Sequence, residues 1–594
     1  MTIPEWILVG VFLATIALMF GTRLRPDVVA ILSALSLGLL GVIPDGTVFQ
    51  GLSSTVVVTL VGLFILAEGL EDTGVIRWAA QRLATLGGGG SERRLLLTLM
   101  ATAAVLSLGM SNVAVGALFL PASSRVARSS GVPVSGLLLP VSYATLLGGM
   151  ATIFTSANII MSDLLIQQGS EPLGMMDFAL TGGLVAVAGI AYMLVAGHRL
   201  LPERVRDVED PDGDFFGLYK LGERFCEFEV GAGSPLEGKT IEEIGFGERF
   251  GVSVLAIHRR NRTFLLPGPG IAIVPGDRIV VLGREDRVRG VVVQNVEIRT
   301  GASAADLRDE LELTEIVVPP RSRAVGRTLT DLELRTKHGV AVLALWREGR
   351  IIRTDVGKIP LEVGDGLLVM HLSERLHALT RTGDFLMAGS RMAAAERPER
   401  APLAVGIFAL VVALAFTGFL PIGETVLAGA MTMVLTGCVS MERAYRSVEW
   451  HVIFLVAGLL PLGFAMIDTG LADRLAGALG GILADGRPLL AVATMFVVSV
   501  AATQVIGGQV SALLVGPVAL AVAETASIAP QPMAVAVAIG ASTAFLTPMA
   551  HPVNAMMIGT GGYKSRDFLR VGAGMTVVTL LSLLAGMWLF WGVR

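Results

Sequence analysis

The stretch Leu106–Asn158 is apolar enough to lie in a bilayer, yet two small-polar, glycine-bearing knots interrupt it, at Ser107–Val113 and Gly148–Asn158. Non-helical backbone at membrane depth is tolerated only where protein buries it or where it lines a cavity. Paired broken segments therefore point to a binding site between half-helices. The pattern returns 396 residues later without a gap: Asp72, Thr73 and Gly74 recur as Asp468, Thr469 and Gly470, Pro121 as Pro517, and Asn158 as Asn554. A repeat of this kind decides the architecture before any finer reading, and it predicts two homologous membrane halves.

Composition agrees. The 594 residues are 53% hydrophobic and 16% charged, with a mean hydropathy of +0.69, more apolar than an ordinary soluble domain. A net charge of -4 argues neither for nucleic acid nor for an acidic tail. Cys226 and Cys438 alone form no disulfide framework and no thiolate metal cluster. The first twenty residues have no basic leader region or small-residue cleavage site and are expected to remain as the first helix.

Ten stretches are long enough to span, near 5–22, 27–43, 54–71, 134–168, 177–198, 402–419, 424–441, 449–467, 531–560 and 570–592. Two more, 93–130 and 488–526, turn back at Ser111-Asn112 and Gly507-Gly508 and read as re-entrant hairpins with short arms. Arg25, Arg93, Arg94, Arg443, Arg446, Lys564 and Arg566 then share one side, while the opposite short loops 44–53, 169–176 and 420–423 hold no Lys or Arg. The positive-inside rule makes the first side cytoplasmic. Both termini are then expected outside, and the two halves are oppositely inserted, as in alternating-access carriers. Asp72 and Asp468 precede amphipathic stretches at Val75–Leu86 and Leu471–Leu483, and are expected to cap them.

Between the halves, from about 203 to 398, charges are frequent and apolar runs are only four to seven residues long. This insert is itself duplicated at an offset of 88: Ser234, Gly238, Thr240, Gly251, Val252, Leu255, Ala256, Arg259, Gly276 and Asp277 match Ser322, Gly326, Thr328, Gly339, Val340, Leu343, Ala344, Arg347, Gly364 and Asp365. The expected organisation is a membrane repeat at 1–202 (hairpin 93–130), α+β domains at 203–302 and 303–398, and a second membrane repeat at 399–594 (hairpin 488–526). The fold class is thus an all-α polytopic membrane protein with inverted repeats, two re-entrant hairpins and inserted cytoplasmic α+β tandem domains.

The insert, through its Ser-x-x-x-Gly-Lys/Arg-Thr, Gly-Val-x-Val-Leu-Ala and Gly-Asp motifs, resembles two TrkA-C domains, the ligand-binding modules of potassium-conductance regulators. The membrane halves, through SLGMSNVAVGALFLP, GGMATIFTSAN and AFLTPMAHPVNAMM, resemble the divalent anion:sodium symporters of the SLC13 type. That resemblance implies sodium sites formed by Ser107, Ser111, Asn112, Thr155, Ser156, Asn158 and Thr503. It also implies substrate contacts from Ser111, Asn112, Val113, Gly508, Gln509, Pro548, His551, Pro552 and Asn554. Val113 stands where the family has Thr, Gly507-Gly508-Gln509 replaces Ser-Asn-Thr, and His551 replaces a hydroxyl residue, so the departures fall mainly at the second sodium site. A homodimer in the inner (plasma) membrane, in contact with lipid, is implied as well.

The chemistry suits these residue types. Carbonyls released by a broken helix, with Ser, Thr and Asn side chains, offer sodium hard oxygens without formal charge. Half-helix N-termini offer an anion unpaired N–H groups and a positive dipole end. Ser and Asn at a break also cap orphan N–H groups, and a lone histidine is more often structural than a proton carrier. Arg259 and Arg347 are placed for an anionic, nucleotide-like regulator or for a solvated strand face. The expected function is sodium-coupled symport of a small di- or trivalent anion such as a dicarboxylate, citrate or sulfate. The alternatives are proton-coupled transport or antiport and, in another class, a ligand-gated channel. No nucleophile–base set, metal constellation or phosphate loop supports an enzyme.

Overall fold

The computed structural model describes residues 2–21, 24–44, 46–75, 78, 92–202, 225–260, 262–283, 285–291, 299–300, 312–319, 322–347, 350–353, 356–371, 384–388, 397–483 and 488–594. Most of the amphipathic stretch expected at Val75–Leu86 lies outside them. The chain forms two compact units: one of 1–203, 392–554 and 564–594, the other of 204–391 together with Ala555–Tyr563.

In the first unit the helices are α1 Ile3–Gly21, α2 Pro26–Leu39, α3 Thr55–Asp72, α4 Glu92–Leu106, α5 Asn112–Ser130, α6 Leu138–Met150, α7 Ser156–Gln167 and α8 Met175–Val195. After the insert come α9 Ala401–Thr417, α10 Ile422–Leu435, α11 Met441–Ser447, α12 Trp450–Asp468, α13 Leu471–Leu483, α14 Pro488–Ile506, α15 Gly508–Thr525, α16 Pro530–Ser542, α17 Pro552–Gly561, which begins in the first unit and from Ala555 on belongs to the second, and α18 Ser565–Phe590. The helices α2 and α10 sit 396 residues apart end to end, and the broken pairs α6–α7 and α16–α17 recur at nearly the same offset. Leu39, Phe419 and Leu435 are 80–87% exposed, which suits a lipid-facing surface and not an aqueous one.

Among the described residues, seven helices are long and apolar enough to cross a membrane, and five more apolar helices are shorter. The expected spans 134–168 and 531–560 are not continuous: each is two short helices joined by irregular backbone. In the expected hairpin at 488–526 the arms are 19 and 18 residues, each long enough to cross alone, so short arms do not mark that pair as re-entrant. Asp72 ends α3 and its carboxylate pairs with Arg443 of the other half, as a buried acid requires.

The halves exchange helices. The helix α2 packs most extensively on α12, and α10 on α3. Small residues allow both approaches: a Cβ on Gly458 would stand 2.5 Å from the Ala30 carbonyl carbon, and one on Gly62 would stand 2.8 Å from Val426, the residue 396 positions after Ala30. A Gly458→Val substitution is therefore expected to lower the thermal stability of the purified protein, by about 1–3 kcal/mol from overpacking. An unchanged melting temperature would refute this close approach.

The second unit holds two five-stranded antiparallel sheets. The strands are β1 Phe225–Glu229, β2 Ser253–Arg259, β3 Arg262–Leu265, β4 Arg278–Leu282, β5 Arg299–Thr300, β6 Glu312–Val317, β7 Ala341–Arg347, β8 Arg350–Ile352, β9 Gly366–His371 and β10 Leu386–Ala388. Their orders, β3-β2-β4-β1-β5 and β10-β6-β9-β7-β8, are the same topology read from opposite edges. Even the register shift in β2 at Val254/Ala256 recurs in β7 at Val342/Ala344. Phe225, Leu255, Ala256 and Val280 share one core with Leu343, Ala344, Trp346 and Leu368, so the two sheets bury a common apolar face.

Each sheet domain opens a one-turn helix with a capping box, Thr240 with Glu243 and Thr328 with Asp331. Each such helix ends in a left-handed residue, Gly245 in the first copy and Glu333 in the second, at φ 69° and 50°. A side chain there costs energy that glycine avoids. Glu333→Gly is expected to stabilise the sheet unit by up to about 1 kcal/mol despite losing its exposed pairing with Lys337. Its thermal unfolding midpoint should rise, and a fall would contradict the account.

Candidate functional site

The first break is built from both knots. Ser107 is buried at the end of α4 and donates from Oγ to Asn112 Oδ1 at 2.8 Å. Ser111 Oγ accepts the Ala114 N–H at 3.2 Å, the cap that starts α5, and the half-buried Val113 beside it brings only methyl groups. A methyl on Gly149 would lie 3.1 Å from Asn112 Oδ1 and 3.0 Å from Thr155 Cγ2, so the absent side chain lets the two knots meet. The fully buried Asn158 straps the break, donating from Nδ2 to Thr152 O at 2.5 Å and Gly149 O at 3.4 Å.

Two oxygens remain open there. Asn158 Oδ1 and Thr155 Oγ1 are buried without a hydrogen-bond partner among the described residues. Buried oxygens left this way are costly, and each calls for a water, an ion or a functional explanation.

The second break has the same strap and different supports. Asn554, also fully buried, donates from Nδ2 to Ala544 O at 2.6 Å and Thr547 O at 3.5 Å, while its Oδ1 accepts from Ser142 Oγ at 2.6 Å. Tyr143 donates to Phe545 O at 2.8 Å, so two neighbours on α6 brace the break of the opposite half. Gln504 completes it: Nε2 donates to Thr543 O at 2.8 Å, and Oε1 accepts the Leu546 and Thr547 N–H groups at 3.2 Å. Thr503 Oγ1 bonds Ser499 O at 2.8 Å. His551 Nδ1 accepts the Val553 N–H at 3.2 Å and so caps α17; that ring nitrogen carries no proton while it does so. Pro548 is buried before it, and Pro552, the first residue of α17, is exposed.

The asymmetry lies in the side chains that face each break. Positions 142 and 538 correspond at the 396-residue offset, and where the first half has Ser142 and Tyr143 the second has Ala538 and Ile539. Helix α16 packs on α7 and offers no hydroxyl from position 538 to Asn158 Oδ1. The second break is therefore saturated by protein, and the first is left open.

The two halves touch at their tips. Gln509 Nε2 donates to Ser156 Oγ at 3.1 Å, joining the N-terminal turns of α15 and α7. Neither helix has a side-chain cap: the N-cap of α7 is Thr155 and that of α15 is Gly507. Gly507, at φ 80° and ψ 161°, holds a conformation open essentially to glycine alone, and a Cβ on Gly508 would overlap Ala541 O. Two uncapped helix N-termini thus lie side by side, each presenting N–H groups and a positive dipole end.

Arg259 and Arg347 lie elsewhere, in the sheet unit. Each grips the acid of its Gly-Asp turn through two nitrogens, Asp277 at 2.8 Å and Asp365 at 2.8 and 2.6 Å. Those hydrogen bonds raise the Arg259 pKa above its already high ordinary value. Both arginines brace their domains, and a regulatory anion there would have to displace a carboxylate. Ser142, Tyr143 and Gln504 escaped the sequence reading, although polar side chains inside apolar runs are signal enough.

A family model described as citrate transporter, CitMHS, matches residues 14–540. A protein of Synechocystis sp. called uncharacterized transporter sll0640 is 33% identical over 583 residues, 96% of this chain and 94% of its own. The sodium/sulfate cotransporter 2 of Chlamydomonas reinhardtii is 24% identical over 412 residues, 64% of this chain and 46% of its own. Among solved structures, the Alcanivorax borkumensis YdaH transporter aligns over 99% of this chain and 98% of its own at 11% identity, with a TM-score of 0.44.

Proposed function

This chain belongs to the CitMHS citrate transporter family and is a multi-pass membrane transporter, and from that premise we propose that it couples sodium to the uptake of a small di- or trivalent anion. The observation that carries the reading is the meeting of two uncapped helix N-termini at Ser156 and Gln509, beside the open oxygens of Thr155 and Asn158. The N-termini suit a carboxylate or sulfate without any Lys or Arg. The oxygens suit a sodium ion, and Asn112, which meets Thr155 at Gly149 and is held by Ser107, would join Ser107, Ser111 and Ser156 as further ligands. Each bound charge would stabilise the other. Because Asn554 and Thr503 are already satisfied by protein, one sodium at the first break is the expected complement, and Gly508, Gln509, Pro548, His551 and Pro552 form the anion's side of the site, with Asn554 bracing the second break.

In this reading the halves are inverted repeats with re-entrant tips, the chain is a homodimer, and the sheet unit is a cytoplasmic TrkA-C-like sensor. The recurrence of helices at one offset and the reciprocal exchange of α2 and α10 support the first of these. The test is uptake of labelled sulfate, succinate and citrate into proteoliposomes. Saturable uptake that stops when choline replaces sodium is expected, and uptake indifferent to that exchange would overturn sodium coupling. His551, engaged as a helix cap, favours the sodium reading over a proton carried at that residue.

A further inference from the structure

We propose that Asp163 is a proton-binding site linked to the transport cycle. It stands on α7, two turns beyond Ser156, and only 3% of it is exposed. Its Oδ2 is buried without a hydrogen-bond partner, and no ion pair reaches the carboxyl among the described residues. The helices packed on α7 are α3, α15 and α16, and Gly463 of α12 lies against Leu164. Their titratable residues are Glu68, Glu71 and Asp72 near the C-terminal end of α3, the exposed Glu524 near the end of α15, and the exposed His451 and Asp468 at the two ends of α12; α16 has none. The loop after α7 adds only the exposed Glu171 and then Asp177, which caps Gly174. Apart from His451 in the first turn of α12, none of these elements carries Lys, Arg or His. A carboxylate with one oxygen buried and unpartnered bears a cost of leaving water that the neutral acid largely avoids. Ionisable residues inside membrane segments are functional by default for this reason. The buried place described here therefore favours the neutral acid, and a state that admits water beside α7 favours release of its proton. The proton exchanges with water and needs no co-reactant. Because α7 also carries Ser156 and Asn158, its protonation is placed to bias the movement of the break.

The site is independent of the sodium reading, and its test keeps the two apart. Full-length protein in liposomes is assayed for sulfate and citrate uptake from about pH 5 to about pH 8, where folded proteins keep their stability, as wild type and as Asp163→Asn. The wild-type rate should vary several-fold and the variant's profile should be flat, with the sodium-induced rise in melting temperature retained in both. Infrared difference spectra on raising pH should show loss of a protonated-carboxyl band in wild type and not in Asp163→Asn, whether or not either solute is carried. Should that variant fail to assemble, Asp163→Glu should keep the band at a shifted frequency. Identical spectra or identical pH profiles for wild type and Asp163→Asn would reduce Asp163 to a packing residue and overturn the proposal. Loss of the sodium shift in wild type would instead strike the sodium site and leave this one standing.

Discussion

Asn158→Ala is expected to raise the sodium concentration for half-maximal uptake by about 10- to 100-fold, if it leaves any uptake at all. The amide does two things at once. Its nitrogen ties Thr152 O and Gly149 O, fixing the irregular backbone between α6 and α7, and its oxygen is one of the two open acceptors. A contact to a charged group is worth about 1.5–3 kcal/mol, which sets the range. Uptake at saturating sodium separates the two roles: lost ligation alone is recovered by more sodium, while a collapsed break is not. Wild-type sodium dependence in the variant would remove Asn158 from the site.

Ala538→Ser should act in the opposite sense on stability and the same sense on affinity. A hydroxyl at 538 would stand where Ser142 stands for the other half and would satisfy Asn158 Oδ1, as Ser142 satisfies Asn554. The sodium-free protein should then melt higher by the equivalent of about 1 kcal/mol, and sodium should bind about fivefold more weakly because its ligand is taken. The reciprocal Ser142→Ala leaves a buried acceptor unpaired, at a cost of about 1–3 kcal/mol. Melting curves taken with and without sodium for the two variants decide the matter. If Ala538→Ser left both quantities unchanged, the asymmetry between the breaks would not be what opens the first one.

Much of this was legible in the residues. Glycine and small polar residues inside apolar runs marked both breaks, and the offsets of 396 and 88 marked both duplications down to single positions such as Gly251 and Gly339. What stayed hidden depends on which helix faces which. No local pattern tells that Ser142 and Tyr143 serve the break more than 400 residues away, or that His551 spends its Nδ1 on the Val553 N–H. Arm length misled as well, since an apolar run does not declare whether it crosses or turns back, and α14 and α15 proved long enough to cross. Arg259 and Arg347 looked available because sequence shows a strand position but not the aspartate that returns to it from the next turn.

The exchange of α2 and α10 bears on how the molecule is made. Neither half encloses its own second helix, so a ribosome that has finished the first has produced something still raw on one flank. Severed within the soluble insert, the two fragments should be degraded when expressed singly and recovered together when co-expressed, each acting as the other's chaperone.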